Sequence, residues 1–329
     1  MYAAQLPALH QPIEWRECRD LQPEKGEILV KVSHAALNHR DLYIQEGLYA
    51  GITLPCTLGS DGVGVVVNES GAYQQGERVL ICPSVAWGSS EKAQGKQFRV
   101  LGMPDPGTMA THIVRPEAEV FPCPKHLTDE EAAALPLAGL TAYRALFTQG
   151  RLTRDDRVLI TGIGGGVATM GLLLATAVGA EVWVTSGSQE KIDKAIALGG
   201  KGGASYKTDD WGKTLKKASG GFDVLLDGAG GPGYNQLMHV ANPGGRIISY
   251  GGTAGSIPKL SPQKLFWKQL HLIGSTMGSP RDFAALLALV NKHEIRPLVD
   301  RVFPVSEINA AFDYFRSGQQ QGKVVVSIG

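Results

Sequence analysis

The chain has 329 residues, 43% of them hydrophobic, and a formal net charge of +1. That is length enough for two domains and apolar content enough to fill real cores. The near-neutral balance excludes the basic field that makes nucleic acid or an anionic membrane surface the default partner, and no apolar run reaches the roughly 18 residues of a membrane span.

Up to about residue 125 the apolar stretches are short and broken by Gly and Pro, at 27–32, 62–67, 78–81 and 111–115. These predict the strands of a compact, largely antiparallel domain. Residues 82–107 read as a long loop. From Leu127 onward helices and strands alternate. Thr128-Asp-Glu-Glu131 is a capping box for a helix over 129–135. A strand ending at Thr161 runs into a glycine cluster and a helix over 167–177. Strands follow at 181–185, 203–206, 222–227 and 245–250, with helices at 189–198, 209–218 and 232–240. This alternation predicts a doubly wound parallel sheet. Beyond Leu270 come another strand, helices over 280–292 and 305–317, and a last strand at 323–327.

A strand, a glycine turn and a helix set bare backbone N–H groups and a helix N-terminus against a pyrophosphate. In the G-x-G-x-x-G/A register, Gly165 and Ala168 fill the second and third small positions, and Ile163 stands at the first. The expected contacts are Gly164, Gly165, Gly166 and Val167. The bland alternative is a tight turn, but a second apolar strand at the spacing of one βαβ unit favours the dinucleotide. Where NAD enzymes place an acidic residue for the ribose 2′-hydroxyl, this chain has Ser186, with Ser188 and Lys191 behind it as donors. That pattern predicts NADPH. Glu190 stands against it, and Lys191 alone would also pass for a solvated helix residue. The turns Asp227-Gly-Ala-Gly230 and Tyr250-Gly-Gly-Thr253 follow parallel strands, so Ala229, Gly251 and Gly252 are expected to border the nicotinamide half.

Four strings in this order resemble the medium-chain dehydrogenase/reductase superfamily: Ala36-Leu-Asn-His-Arg-Asp-Leu-Tyr-Ile-Gln-Glu-Gly-Leu-Tyr49, Leu58-Gly-Ser-Asp-Gly-Val-Gly64, Gly76-Glu-Arg-Val79 and Ala132-Ala-Ala-Leu-Pro-Leu-Ala-Gly-Leu-Thr-Ala-Tyr143. The nearest subgroup is the zinc-free quinone oxidoreductases. The resemblance covers the whole chain and implies an α/β protein. It would have a GroES-like β-barrel catalytic domain at 1–125, a Rossmann doubly wound NADP-binding domain at 126–268, and a C-terminal segment at 269–329 completing the first. It further implies that Tyr43 packs on the nicotinamide, that Thr141, Tyr206 and Lys323 approach the cofactor, and that two copies pair as a homodimer through an edge strand.

The departures from the zinc alcohol dehydrogenases are informative. Where those enzymes carry a catalytic-zinc cysteine, a histidine and a later cysteine, this chain has Asn38, Ser60 and a cysteine-free stretch around Leu137. Catalytic zinc needs three protein ligands and an open position, so no metal is expected. Cys18, Cys56, Cys82 and Cys123 are far apart and form no Cys-x-x-Cys pair, which suits a cytoplasmic setting. The N-terminus, Met1-Tyr-Ala-Ala-Gln-Leu-Pro7, has neither the basic nor the apolar region of an export signal.

Without a Lewis acid, the acceptor must be a better electrophile than a simple carbonyl. A quinone or an α,β-unsaturated carbonyl meets that need, its developing negative charge held by hydrogen bonds. The catalytic candidates are Asn38 as an amide donor, Tyr49 as a phenol donor, and Asp41 orienting the others or reaching the cofactor. The residues alone leave open that Tyr43 and Tyr49 are half-buried aromatics beside a turn, that Asn38 satisfies a loop, and that Asp61 is structural. Two functions remain in view. One is a zinc-independent NADPH-dependent reductase of quinones or enones. The other is a non-enzymatic NADPH-binding protein with a redox-sensing or crystallin-like role. An intact 38–49 string together with an intact glycine loop favours the enzyme.

Overall fold

The structure, a computed structural model, describes all 329 residues. They form two compact units, Met1–Ala138 with Ser279–Gly329, and Gly139–Gly278. No helix is long and apolar enough to cross a membrane.

The first unit is built on the strand Glu27–Ala36, which pairs antiparallel with Asp61–Val66, His112–Pro116 and Lys323–Ser327. Alternation along it explains the packing: Ile28, Val30 and Val32 are buried, joined in the core by Val66, Val79, Ile81, Val324 and Val326. The chain's last two strands, Val299–Pro304 and Lys323–Ser327, pair parallel to each other and complete this seven-stranded sheet. The helix Ile308–Arg316 adds Ile308, Phe312 and Phe315 to the same core. The register Val325↔Ala36 and Ser327↔His34 brings Lys323 to the end of the strand that leads into Asn38. The helix Asp129–Ala133 starts at the expected capping box and packs on the strands Glu27–Ala36 and Asp61–Val66.

The stretch expected as a plain loop holds a small hairpin, Ser84–Val85 paired with Arg99–Val100. Trp87 packs edge-on against Phe98 at 5.1 Å. Two-residue strands are too short to show a period, so the alternation rule could not reveal them.

The second unit holds the expected parallel sheet. Its six strands are Arg157–Ile160, Glu181–Ser186, Gly202–Ser205, Phe222–Asp227, Ala241–Ser249 and His271–Gly274. Taken in chain order, they lie side by side as third, second, first, fourth, fifth and sixth. A parallel sheet covered on both faces needs apolar side chains in both directions. Val158, Ile160, Val224, Leu226 and Ile248 therefore face one core, while Leu159, Leu225 and Ile247 face another. The order reverses at the strand Arg157–Ile160, and ligands of such sheets bind outside the strand ends at that switch point.

Candidate active site

In the second unit, Gly165 caps the twelve-residue helix Gly166–Ala177, leaving its first backbone N–H groups without helical acceptors. Gly164 sits at φ 116°, a conformation that side chains other than glycine rarely adopt. A Cβ there would meet Lys191 Cδ at 2.7 Å and Nζ at 3.3 Å, so the lysine lies directly over the loop. Beside it, Ser186 Oγ donates to Ile163 O at 3.3 Å and accepts from Ser188 N at 3.2 Å. Ser188 caps the helix Gln189–Ala197. Tyr206 is 51% exposed. A Cβ at Gly187 would lie 2.8 Å from its hydroxyl and 3.1 Å from Lys207 Cε. Ser186, Ser188, Lys191 and Tyr206 therefore gather at one strand end, and the structure adds Lys207, a second cation that sequence reasoning passed over. Its signal was available, as the residue directly after Tyr206.

The turns after the fourth and fifth strands are laced together. Buried Asp227 accepts from Thr161 Oγ1 at 2.7 Å, Ala229 N at 3.3 Å and Gly230 N at 2.9 Å. Ala229 O accepts from Ala254 N at 2.8 Å. This holds Ala229 and the Gly251–Gly252 turn at the carboxyl ends of the strands. Burial, reinforced by the Asp227 charge, pushes the Tyr250 phenol well above its ordinary range, so this tyrosine stays protonated. Thr141 packs its hydroxyl 3.8 Å from the Met277 sulfur. This loop and helix terminus fit a dinucleotide: Gly164, Gly165, Gly166 and Val167 would hold its pyrophosphate.

In the first unit, Asn38 precedes the helix His39–Gln45. Asp41 is entirely buried, and its carboxylate accepts from Asn38 N at 2.8 Å and Gly59 N at 3.3 Å. Burial lifts its carboxyl above the usual range, opposed by the neighbouring Arg40 charge and these hydrogen bonds. Of the two roles open to Asp41, this geometry serves orientation of the string. Arg40 is also buried and donates to Ser60 Oγ at 2.9 Å and Leu101 O at 2.7 Å. Its guanidinium lies 5.1 Å from the centre of the Tyr49 ring, a cation–π contact that fixes the ring. Tyr49 is half-buried, and its hydroxyl has no hydrogen-bond partner within the protein. Tyr43 is half-buried one turn along the helix from His39, with ring centres 6.2 Å apart.

The centre of this unit's polar cluster is Asp61, which the sequence alone presents as a turn residue. It is fully buried. Its Oδ2 accepts from Lys323 Nζ at 2.8 Å and Asn38 Nδ2 at 2.9 Å, and its Oδ1 from Leu137 N at 2.6 Å. The regions around residues 38, 60 and 137, where zinc ligands would be sought, are thus tied together by one carboxylate. Lys323 departs from its expected use. Its Nζ also donates to Leu37 O and Asn38 Oδ1, both at 2.7 Å. An ammonium has three N–H groups, and all three are taken inside this unit, leaving none for a cofactor.

A parallel sheet with a glycine loop at its switch point, carried in one chain with a polar cluster on a β-sheet unit, defines a nicotinamide-dinucleotide oxidoreductase fold. The family description "Alcohol dehydrogenase GroES-like domain" matches residues 24–125 and "Zinc-binding dehydrogenase" matches residues 166–292. The chain is similar to the zinc-type alcohol dehydrogenase-like protein YogA of Leptosphaeria maculans, 34% identical across 97% of this chain and 96% of that protein. It is also similar to the quinone oxidoreductase of Rattus norvegicus, 26% identical across 92% and 90%. Among solved structures it resembles an NAD-dependent alcohol dehydrogenase, with 31% identity, a TM-score of 0.94 and full coverage of both chains. The chain belongs to the medium-chain dehydrogenase/reductase superfamily and is an oxidoreductase.

Two of these descriptions imply zinc, and the residues present do not fit it. Nowhere do three His, Cys, Asp or Glu side chains gather to hold a metal ion. Asn38 and Ser60 offer only neutral oxygens; of the two carboxylates nearby, Asp61 is paired with an ammonium and Asp41 is held by the Asn38 and Gly59 backbone N–H groups.

Proposed function

We propose that this protein is a zinc-independent, NADPH-dependent reductase of quinones or α,β-unsaturated carbonyls. The observation that carries the reading is the amide–carboxylate–ammonium set of Asn38, Asp61 and Lys323 standing where a metal-dependent relative needs ligands. Bound NADPH supplies the hydride. The chain's task is then to hold the charge that develops on the acceptor oxygen. A simple alcohol or aldehyde needs strong polarisation of its oxygen, of the kind a metal gives, whereas a conjugated acceptor delocalises the incoming charge. The Tyr49 hydroxyl and one Asn38 N–H are neutral donors for that oxygen, and the phenol is also a proton source for the reduced product. Ser186, Ser188, Lys191 and Tyr206 would take the 2′-phosphate, with Lys207 at the rim. Tyr43 would pack on the nicotinamide, and Thr141, Ala229, Gly251 and Gly252 would line its half of the site.

Consumption of NADPH against a panel of quinones, enones, saturated aldehydes and alcohols tests this. Turnover should be confined to the conjugated acceptors. Oxidation of a saturated alcohol with NAD, faster than any conjugated acceptor is reduced, would overturn the reading. Tight NADPH binding with no turnover would point to a non-enzymatic role instead.

The homodimer belongs to the same proposal. The strand His271–Gly274 lies at the edge of the parallel sheet, and an unpaired edge invites another strand. Just before it, Phe266 and Trp267 are 59% and 79% exposed, and buried tryptophans dominate the energetics of many interfaces. Light scattering should show two copies for the native chain and a shift toward one copy for Trp267→Glu; a native monomer would refute the pairing. The four cysteines are free thiols, three of them buried, in keeping with a cytoplasmic enzyme.

A further inference from the structure

The strand Lys323–Ser327 carries one ammonium into the interior of the first unit, 262 residues along the chain from its ion-pair partner. The Lys323 side chain is 4% exposed and that of Asp61 is 0% exposed. Removing two charges from water is costly, and an apolar pair of the same volume often holds a core equally well. Adhesion between strands is therefore a poor reason for this pair.

Asn38 supplies a better one. Its amide has an acceptor end and a donor end. Lys323 offers only donors and an ionised carboxylate only acceptors. Oδ1 must face Lys323, at 2.7 Å, and Nδ2 must face Asp61, at 2.9 Å. The flipped amide would set NH₂ against ammonium and C=O against carboxylate. One Nδ2 hydrogen is thereby fixed on Asp61. The other has only Ala36 O at 3.5 Å, at the long limit of a hydrogen bond.

We propose that Lys323 and Asp61 are positioning residues that lock the Asn38 amide in one orientation, so that its second N–H is presented as a pre-set donor for the acceptor oxygen. This rests on the assignment of Asn38 to that oxygen made above. A donor fixed before the reaction needs no reorganisation as charge develops, which is where such donors gain their strength. The lock also explains a lysine whose three hydrogens all point inward.

Lys323→Met alone leaves the Asp61 carboxylate buried without its cation and should lose much of the native thermal stability. The working variant is therefore Asp61→Asn with Lys323→Met, which removes both charges together. Relative to that single variant, the double variant should regain thermal stability. Its turnover of an enone should still fall about tenfold, a fraction of the 10²–10³ seen when an oxyanion donor is removed outright, with KM for NADPH unchanged. In an Asn38→Ala background the same two substitutions should add no further loss, because the amide they orient is gone; coupling of this kind is what a double-mutant comparison isolates. Turnover that recovers along with stability, or losses that multiply in the Asn38→Ala background, would overturn the lock. If Asn38→Ala itself leaves turnover intact, the assignment of Asn38 to the acceptor oxygen has failed, and the lock fails with it.

Discussion

Tyr49→Phe should slow reduction of an α,β-unsaturated ketone by about tenfold to a hundredfold while leaving NADPH affinity unchanged. Removing a donor from a closed oxyanion site costs about 2.7–4 kcal/mol. Tyr49 is half-buried, so water substitutes in part and the loss sits at or below the low end. The ring itself does not move on substitution, because Arg40 holds it from one face at 5.1 Å and is anchored by Ser60 and Leu101. Phenylalanine keeps that contact and deletes only the hydroxyl, which has no other partner to lose. Asn38→Ala should act in the same direction. Quinones accept hydride with little acid help, so both effects should be smaller on a quinone. Steady-state kinetics on the two acceptor classes decide the matter. If both variants match the native enzyme on both classes, the 38–49 string is scaffold, and catalysis rests on placement of the acceptor.

Lys191→Ala should weaken NADPH binding about tenfold to a hundredfold and spare NADH. A hydrogen bond to a charged group contributes about 1.5–3 kcal/mol, and about 1.4 kcal/mol corresponds to tenfold in affinity. The aliphatic stem of Lys191 already lies over Gly164, with Nζ near the loop, so little conformational freedom remains to be lost on binding. Lys207 lies close to the same turn, across Gly187, and should keep part of the preference in Lys191→Ala. Titration of each cofactor against the native and variant proteins is the check. Equal affinity of the native chain for NADPH and NADH would contradict the reading of Ser186, whatever Lys191 does.

The parallel sheet was legible because its central strands carry short apolar runs closed by turns, as in Arg157–Ile160 and Phe222–Asp227, a pattern that follows from burial on both faces, whereas Gly202–Ser205 carries no such run. The glycine loop was legible because a strand and a helix bracket it. The polar cluster was legible only in pieces. Asn38 and Tyr49 stood out in one string. Asp61 sat among glycines and looked like a turn residue, and Lys323 looked like a cation opening a strand. What joins them is the pairing of Lys323–Ser327 with Glu27–Ala36, a contact between opposite ends of the chain that no local period encodes. Local sequence also cannot show that Lys323 points inward, since a lysine at a strand start is as readily solvated. The order of the strands within the first unit was hidden for the same reason.

Reduction of a conjugated acceptor without a metal can be checked in a single experiment on the purified protein. Metal content is determined by elemental analysis, and NADPH-dependent turnover of an enone is then followed before and after exhaustive chelation. Zinc should be found far below one ion per chain, and turnover should be the same in both samples. One tightly held zinc per chain, with activity lost on its removal and restored on its return, would contradict it.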